Sequence, residues 1–402
     1  MPNKQEIRWM IGALAGINLG NIAIFTAPIY IGSLMDSFGF TENQTGLIST
    51  LEIGAVAVTC LLLSRWLGSF SLQKLAMTGA IATLIINVIT ISLNDYVSIL
   101  LSRTLAGVGA GLCLAATSAL LSRMKDPDQI VGIMLAVNTV IMVIVIGVLG
   151  YVKAAWQFPG IMAVFAINVI VFLPLLLLLP SQPLKHSRAN RREPSAPDHR
   201  LGLGILGVSL LFLFCTVEGG VWAFAERSGS NLGIADGDIG LLLATAQVAG
   251  LAGAIIAAVW GSKIPRLYPI VIGSGLMGLA GLFIYQTDSQ LIYGLFLGAF
   301  SFGFFIAFPY MIGACARLDA DGRWAARANG INLLGGAIAP IIAALIITSS
   351  DYQALGTFCF CLAGFCMVLA VIFNRELNKA NINDELGPPG KPISIPQSKF
   401  GT

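Results

Sequence analysis

Charge and histidine are what this sequence has least of. Of 402 residues only 11% are Asp, Glu, Lys or Arg, where a soluble globular chain carries about 25%. Less than half the usual density cannot cover the surface of a water-soluble fold of this size, so the solvent must be lipid. The two histidines, His186 and His199, both lie in a polar stretch, which excludes a His-rich metal centre. A net charge of +3 is too small an excess to argue for nucleic acid. The seven cysteines all fall inside apolar runs, so they read as small core residues rather than a disulfide framework. No G-x-x-x-x-G-K-[ST] phosphate loop occurs, which argues against a nucleotide-driven pump. The run Gly202-Leu-Gly204-Ile-Leu-Gly207 has dinucleotide-loop spacing, but it opens an apolar segment with no strand before it. No cofactor is expected.

What the chain has in quantity is apolar sequence: 56% of residues are of the hydrophobic set, with a mean hydropathy of +0.84. A membrane-spanning helix needs about 20 mostly apolar residues. Twelve such runs occur, at about 9–35, 44–65, 75–93, 97–122, 130–151, 157–180, 203–226, 238–260, 267–287, 290–314, 325–348 and 353–374. The reading is an all-α membrane protein of twelve transmembrane helices. Placing the N-terminus in the cytoplasm puts 20 of the 23 Lys and Arg in inner segments. Only Lys153 and Arg227 are left to outer loops, with Arg103 inside a span. By the positive-inside rule both termini are cytoplasmic, in a multi-pass protein of the cell inner (plasma) membrane. The polar, basic break at 181–202 separates an N-terminal bundle, 1–180, from a C-terminal bundle, 203–375. Its basic cluster reads as an orientation-fixing linker with a second possible role in binding membrane lipid headgroups. Residues 376–402, rich in Pro, Gly, Asn and Ser, read as a disordered cytoplasmic tail.

The two sets of six spans are related by an offset of 194 residues. It places Gly46-Leu47 on Gly240-Leu241, Trp66 on Trp260 and Gly109 on Gly303. One offset serving two pairs of spans indicates a duplicated six-helix unit, an architecture characteristic of secondary transporters. The fourth span reads Ile99-Leu-Leu-Ser-Arg103-Thr-Leu-Ala-Gly107-Val-Gly109-Ala-Gly111. This resembles the fourth-helix motif of the major facilitator superfamily, an Arg followed by Gly-x-Gly and small residues. The loop after span 2, SRWLGSFSLQK, stands where that family carries Gly-x-x-x-Asp-Arg-x-Gly-Arg-Arg. Here it keeps Gly68 and scattered basic residues, with Arg65 about where the Asp belongs. Span 5 has Gly147 and Gly150 but not the Gly-Pro pair of drug/proton antiporters. The resemblance implies two pseudo-symmetric six-helix bundles around a central cavity, and alternating access between its two sides.

Ionisable groups inside spans are costly, about 2.5–3.5 kcal/mol each on insertion scales, so each needs a partner or a purpose. Glu52 in span 2, Arg103 in span 4 and Glu218 in span 7 stand out, all in the outer half of the membrane. Their depths permit a contact of Arg103 with either acid. Phe214, Glu218 and Trp222 recur at i, i+4 and i+8 on one face of span 7, which the resemblance places on the cavity. That makes Glu218 the leading proton-coupling candidate. Further candidates for substrate binding or coupling are Asn18 and Asn21, which share a face of span 1 with Phe25 and Pro28. Gln247 of span 8, Asn329 and Asn332 of span 11, and the aromatic run of span 10 with Phe304 and Tyr310 complete the set. The expected function is secondary active transport of a small organic solute, with the proton as coupling ion, in symport. The alternative is proton-coupled efflux of hydrophobic or cationic compounds. No nucleophile–base pair points to an enzyme, and the expected form is a monomer.

Overall fold

The computed structural model describes residues 4–63, 70–124, 127–182, 201–316, 318 and 323–386. Twelve α-helices account for nearly all of this, with no strand among the described residues. Large aliphatic side chains such as Leu105, Ile144 and Leu295 are exposed along the helices while small residues fill the helix contacts. That inversion of the soluble pattern suits a lipid exterior.

Span 1 is broken. Helix α1 (Lys4–Phe25) gives way to α2 (Ala27–Phe38) at Thr26. Pro28 has no N–H to continue the helical ladder, and the Thr26 hydroxyl instead donates to the Ile22 carbonyl at 2.7 Å. Spans 2, 3 and 4 are α3 (Glu42–Leu63), α4 (Leu72–Thr90) and α5 (Tyr96–Leu121). Spans 5 and 6 lie in α6 (Pro127–Phe172), continued by a 3-10 segment to Leu178. A straight helix would separate Asn138 from Asn168 by about 45 Å, yet both bond to Asn18, at 3.3 and 2.8 Å. The chain therefore reverses inside α6, at Gln157, whose φ of 53° is non-helical. Counting this hairpin twice, the eleven helices long and apolar enough to cross a membrane make twelve crossings.

The C-terminal half is α7 (Leu201–Asn231), α8 (Asp236–Trp260), α9 (Leu267–Gln286), α10 (Gln290–Ala316), α11 (Arg323–Ser349) and α12 (Tyr352–Leu386). Helix α12 runs past the limit of 375 read from the sequence, because Glu376 and Lys379 pair along it at 2.6 Å and the first breakers come only at Gly387-Pro388-Pro389. The motif residues Arg65 and Gly68, most of the 181–202 linker and the rest of the tail lie outside the described residues.

Packing repeats with the 194-residue offset. A side chain on Gly109 would meet the Gly79 carbonyl at 2.7 Å, and one on Gly303 would meet that of Gly273 at 2.7 Å. Between the halves, Gly46 of α3 abuts Pro340 and Ala344 of α11, and Gly240 of α8 abuts Ile146 and Gly150 of α6. Each member of one set is 194 residues from its counterpart. In span 4, Gly107 and Gly111 lie against the α3 backbone at Glu52 and Val56, while Gly109 faces α4. The small-residue motif thus seats α5 between two neighbours.

Candidate functional site: a central helix-7 face beneath a charged far end

Four of the expected residues resolve into structure within one half. Arg103 of α5 is 2% exposed and donates from Nε to Glu52 of α3 at 3.2 Å. Its Nη2 pairs with the other Glu52 oxygen, and Nη1 reaches Asn87 of α4 at 2.7 Å and Met162 Sδ at 3.7 Å. The rings of Tyr30 and Phe165 stand 5.6 Å from the guanidinium carbon on either contact. All three guanidinium nitrogens are engaged, so the Arg103–Glu52 contact realises one of the two pairings that depth allows. Asn18 is fully buried and uses its amide on Asn138 and Asn168, tying span 1 to the span 5–6 hairpin. Asn21, on the same helix, is partly exposed.

Helix α7 presents the other group. Phe214 stacks on Phe304 at 5.4 Å, and Phe304 on Phe308 at 5.2 Å. One turn along, Glu218 is partly exposed and makes no hydrogen bond or ion pair among the described residues. A further turn on, Trp222 is buried and donates from Nε1 to the Phe25 carbonyl at 3.1 Å, at the break in span 1. Asn332 of α11 accepts from the Cys215 thiol at 3.0 Å. Gln247 is buried with its Oε1 unpartnered. Tyr310 is buried and donates to the Ala257 carbonyl at 3.2 Å. The side chain of Asn329 lies outside the described residues.

One turn beyond Trp222 is a group that the sequence reading missed. Glu226 is 1% exposed and sits against Lys153, also 1% exposed, at 2.5 Å. Lys153 also meets Asp36 at 2.7 Å and Asp236 at 2.9 Å, and Arg227 meets Asp36 at 2.7 Å. Lys153 is therefore no loop residue: it is a buried cation at the α6 reversal, surrounded by acids from both halves. Burial raises the Asp36 carboxyl, but hydrogen bonds from Lys153 and Arg227 outweigh this and hold it below the usual carboxylate range. The i, i+4 series Phe214, Glu218, Trp222 continues to Glu226, and extending it by one turn was the available signal. The α7 end is fixed further by Tyr285, Tyr293 and Ser228, whose hydroxyls bond backbone carbonyls at 2.7 Å. More contacts join the halves at this face, remote from both termini: Tyr352 donates to Glu42 at 3.1 Å, and Ile341 N–H to Thr50 at 3.1 Å.

The chain matches the model of the Major Facilitator Superfamily over residues 9–225 and 207–397. It belongs to that superfamily. Among solved structures of the same fold is a bacterial homologue of the human lysosomal transporter Spinster, inward-facing and unoccupied. It is 12% identical at a TM-score of 0.67, covering 93% of this chain and 95% of that one. The nucleoside transporter NupG is 14% identical at 0.65, covering 92% and 99%. A D-xylose–proton symporter is 16% identical at 0.68, covering 89% and 96%. No curated protein matches the sequence. Family and fold identify a multi-pass membrane transporter rather than an enzyme, built as two six-helix halves.

Proposed function

We propose that this superfamily member is a proton-coupled symporter of a small organic solute, acting as a monomer in the cell inner (plasma) membrane with both termini cytoplasmic. The observation that carries the reading is Glu218, a partly exposed carboxylate on the central face of α7 with no partner among the described residues. A carboxylate held among aromatics can exchange its proton with a cavity, where one bonded to a fixed cation cannot. Arg103 serves instead as a positioning residue, since its donors are committed to Glu52 and Asn87. The distribution of 20 of 23 basic residues supports the orientation, and the charged far end is then external. Each proton entering down a 100 mV potential supplies about 2.3 kcal/mol. The efflux reading draws on the partly exposed rings of Phe304, Phe305 and Phe308, which suit apolar cargo.

The test begins with a thermal-shift screen of purified protein against metabolites and amphiphiles, since a bound solute raises apparent stability by mass action. The solute found is then followed in proteoliposomes under an imposed pH gradient. Symport accumulates it on the alkaline side, and efflux antiport drives it the other way. Glu218→Gln should retain exchange and lose accumulation. A Glu218→Gln protein that still concentrates solute when pH-driven removes Glu218 from coupling.

A further inference from the structure

The far-end cluster contains more acid than it can pair. Two cations, Lys153 and Arg227, stand among three carboxylates, Asp36, Glu226 and Asp236, whose oxygens lie within 4.8 Å of one another. Arg227 pairs with Asp36 through Nη2 at 2.7 Å, and its buried Nε reaches no acceptor, Glu226 Oε2 included. That leaves one ammonium, itself also 2.7 Å from Asp36, to serve Glu226 and Asp236 at 2.5 and 2.9 Å. The shortfall falls on the most buried acid. Glu226 Oε2 has no hydrogen-bond donor and occupies the space that a side chain on Gly32 would take. The other titratable groups turned toward this end do not supply one. The Tyr293 hydroxyl of α10 donates to the Ala225 carbonyl at 2.7 Å, and the Tyr352 hydroxyl of α12 donates to Glu42 of α3 at 3.1 Å. The Tyr285 hydroxyl of α9 donates to Val221 at 2.7 Å. A bare anionic oxygen in a dry site is the costly case, and one proton removes the excess charge.

The cluster also lies across the seam between the halves. Asp36 and Lys153 belong to the first, and Glu226, Arg227 and Asp236 to the second. Separation would return Glu226 to water, where a carboxylate ionises without penalty.

We propose that Glu226 binds one proton when the far face is closed, taking it up from that side as the halves meet and releasing it as they part. This is a second proton site, distinct from Glu218. Closing the far face is then favoured by acid on that side.

The experiment uses the full chain in nanodiscs with spin labels at Asn94→Cys and Asp288→Cys, exposed positions 194 residues apart on the far ends of the two halves. Cys60 and Cys361, the two thiols that are not buried, are replaced by Ala. Between about pH 5 and pH 9 the long-distance population should grow with alkali, with a limiting slope of about tenfold per pH unit for one linked proton. Glu226→Gln, which imitates the proton-bound form, should stay in the short-distance population throughout, and so should Asp236→Asn. Glu226→Asp and Asp238→Asn should keep the wild-type response. A protonated-carboxyl infrared band lost in Glu226→Gln and kept in Glu218→Gln is the second readout. The proposal is overturned by a wild-type distance that ignores pH or lengthens in acid. A wild-type response surviving in both Glu226→Gln and Asp236→Asn overturns it too.

Discussion

Single residues carry this fold's asymmetry. The Arg103–Glu52 pair has no charged counterpart in the second half, where the 194-residue offset gives Leu297 and Ala246. Removing one partner of a buried pair strands the other charge and costs about 3–5 kcal/mol, whereas apolar replacement of both is often neutral. Glu52→Ala should therefore lower the melting temperature in detergent sharply, and Glu52→Ala with Arg103→Leu should recover most of it. Losses that merely add would show that the two side chains are not coupled. At Asp36 the sign with pH is fixed by its depressed carboxyl. The stabilisation is present above the usual aspartate range of about 4 and is lost as pH falls through the lowered value. Asp36→Asn should melt below wild type at neutral pH, with the gap narrowing in strong acid; an equal gap at both pH values would contradict this. Glu52, Arg103 and Glu218 were legible because an ionisable group inside an apolar run is conspicuous. Lys153 was not, because it falls at the end of a run, where loop and buried seam look alike, and Glu226 showed only as one further turn of the Phe214–Trp222 series. Asn138 and Asn168 were hidden for another reason: a lone amide in a span carries no mark of its partner.

At the scale of elements, the reversal in α6 is the strained point. Gln157 has φ 53° and ψ −148°, a region that is almost exclusively glycine's. It is held by Ser37, whose hydroxyl accepts from Phe158 N–H at 3.1 Å and donates to Gln157 Oε1 at 3.5 Å. The same corner carries Lys153 one turn earlier, and the α2 end also packs on the hairpin through the Phe38 and Phe158 rings, 5.2 Å apart. Gln157→Gly should stabilise the protein by about 1 kcal/mol after the entropy of the added glycine is set against the relieved strain. A lowered melting temperature would mean that the Ser37 contacts outweigh the backbone. The sequence marked two runs here with a short gap, which gave the hairpin. The strained residue was not legible, since nothing in a Gln codes for a positive φ.

The whole molecule is two copies of one packing scheme joined by crossed contacts. The offset of 194 was readable from a handful of matches, and the equivalence of Gly46–Ala344 with Gly240–Gly150 extends it to the seam. Which face those contacts close was not readable, because residue identity does not say which neighbour a glycine meets. A side chain on Gly150 would meet the Gly240 backbone at 2.8 Å, so Gly150→Val should hold the halves apart at the far end. The Asn94→Cys and Asp288→Cys spin-label pair should then stay at its long distance, and an unchanged distance would show that the seam relaxes elsewhere. Gly32 and Glu226 are also 194 residues apart, and they touch each other. A transporter assembled from two identical six-span chains would have to place the same residue on both sides of that contact. Two glycines would leave a gap, and two glutamates would collide with like charge. Glycine in one half and glutamate in the other is the asymmetry that lets this one acid seat against the opposite half.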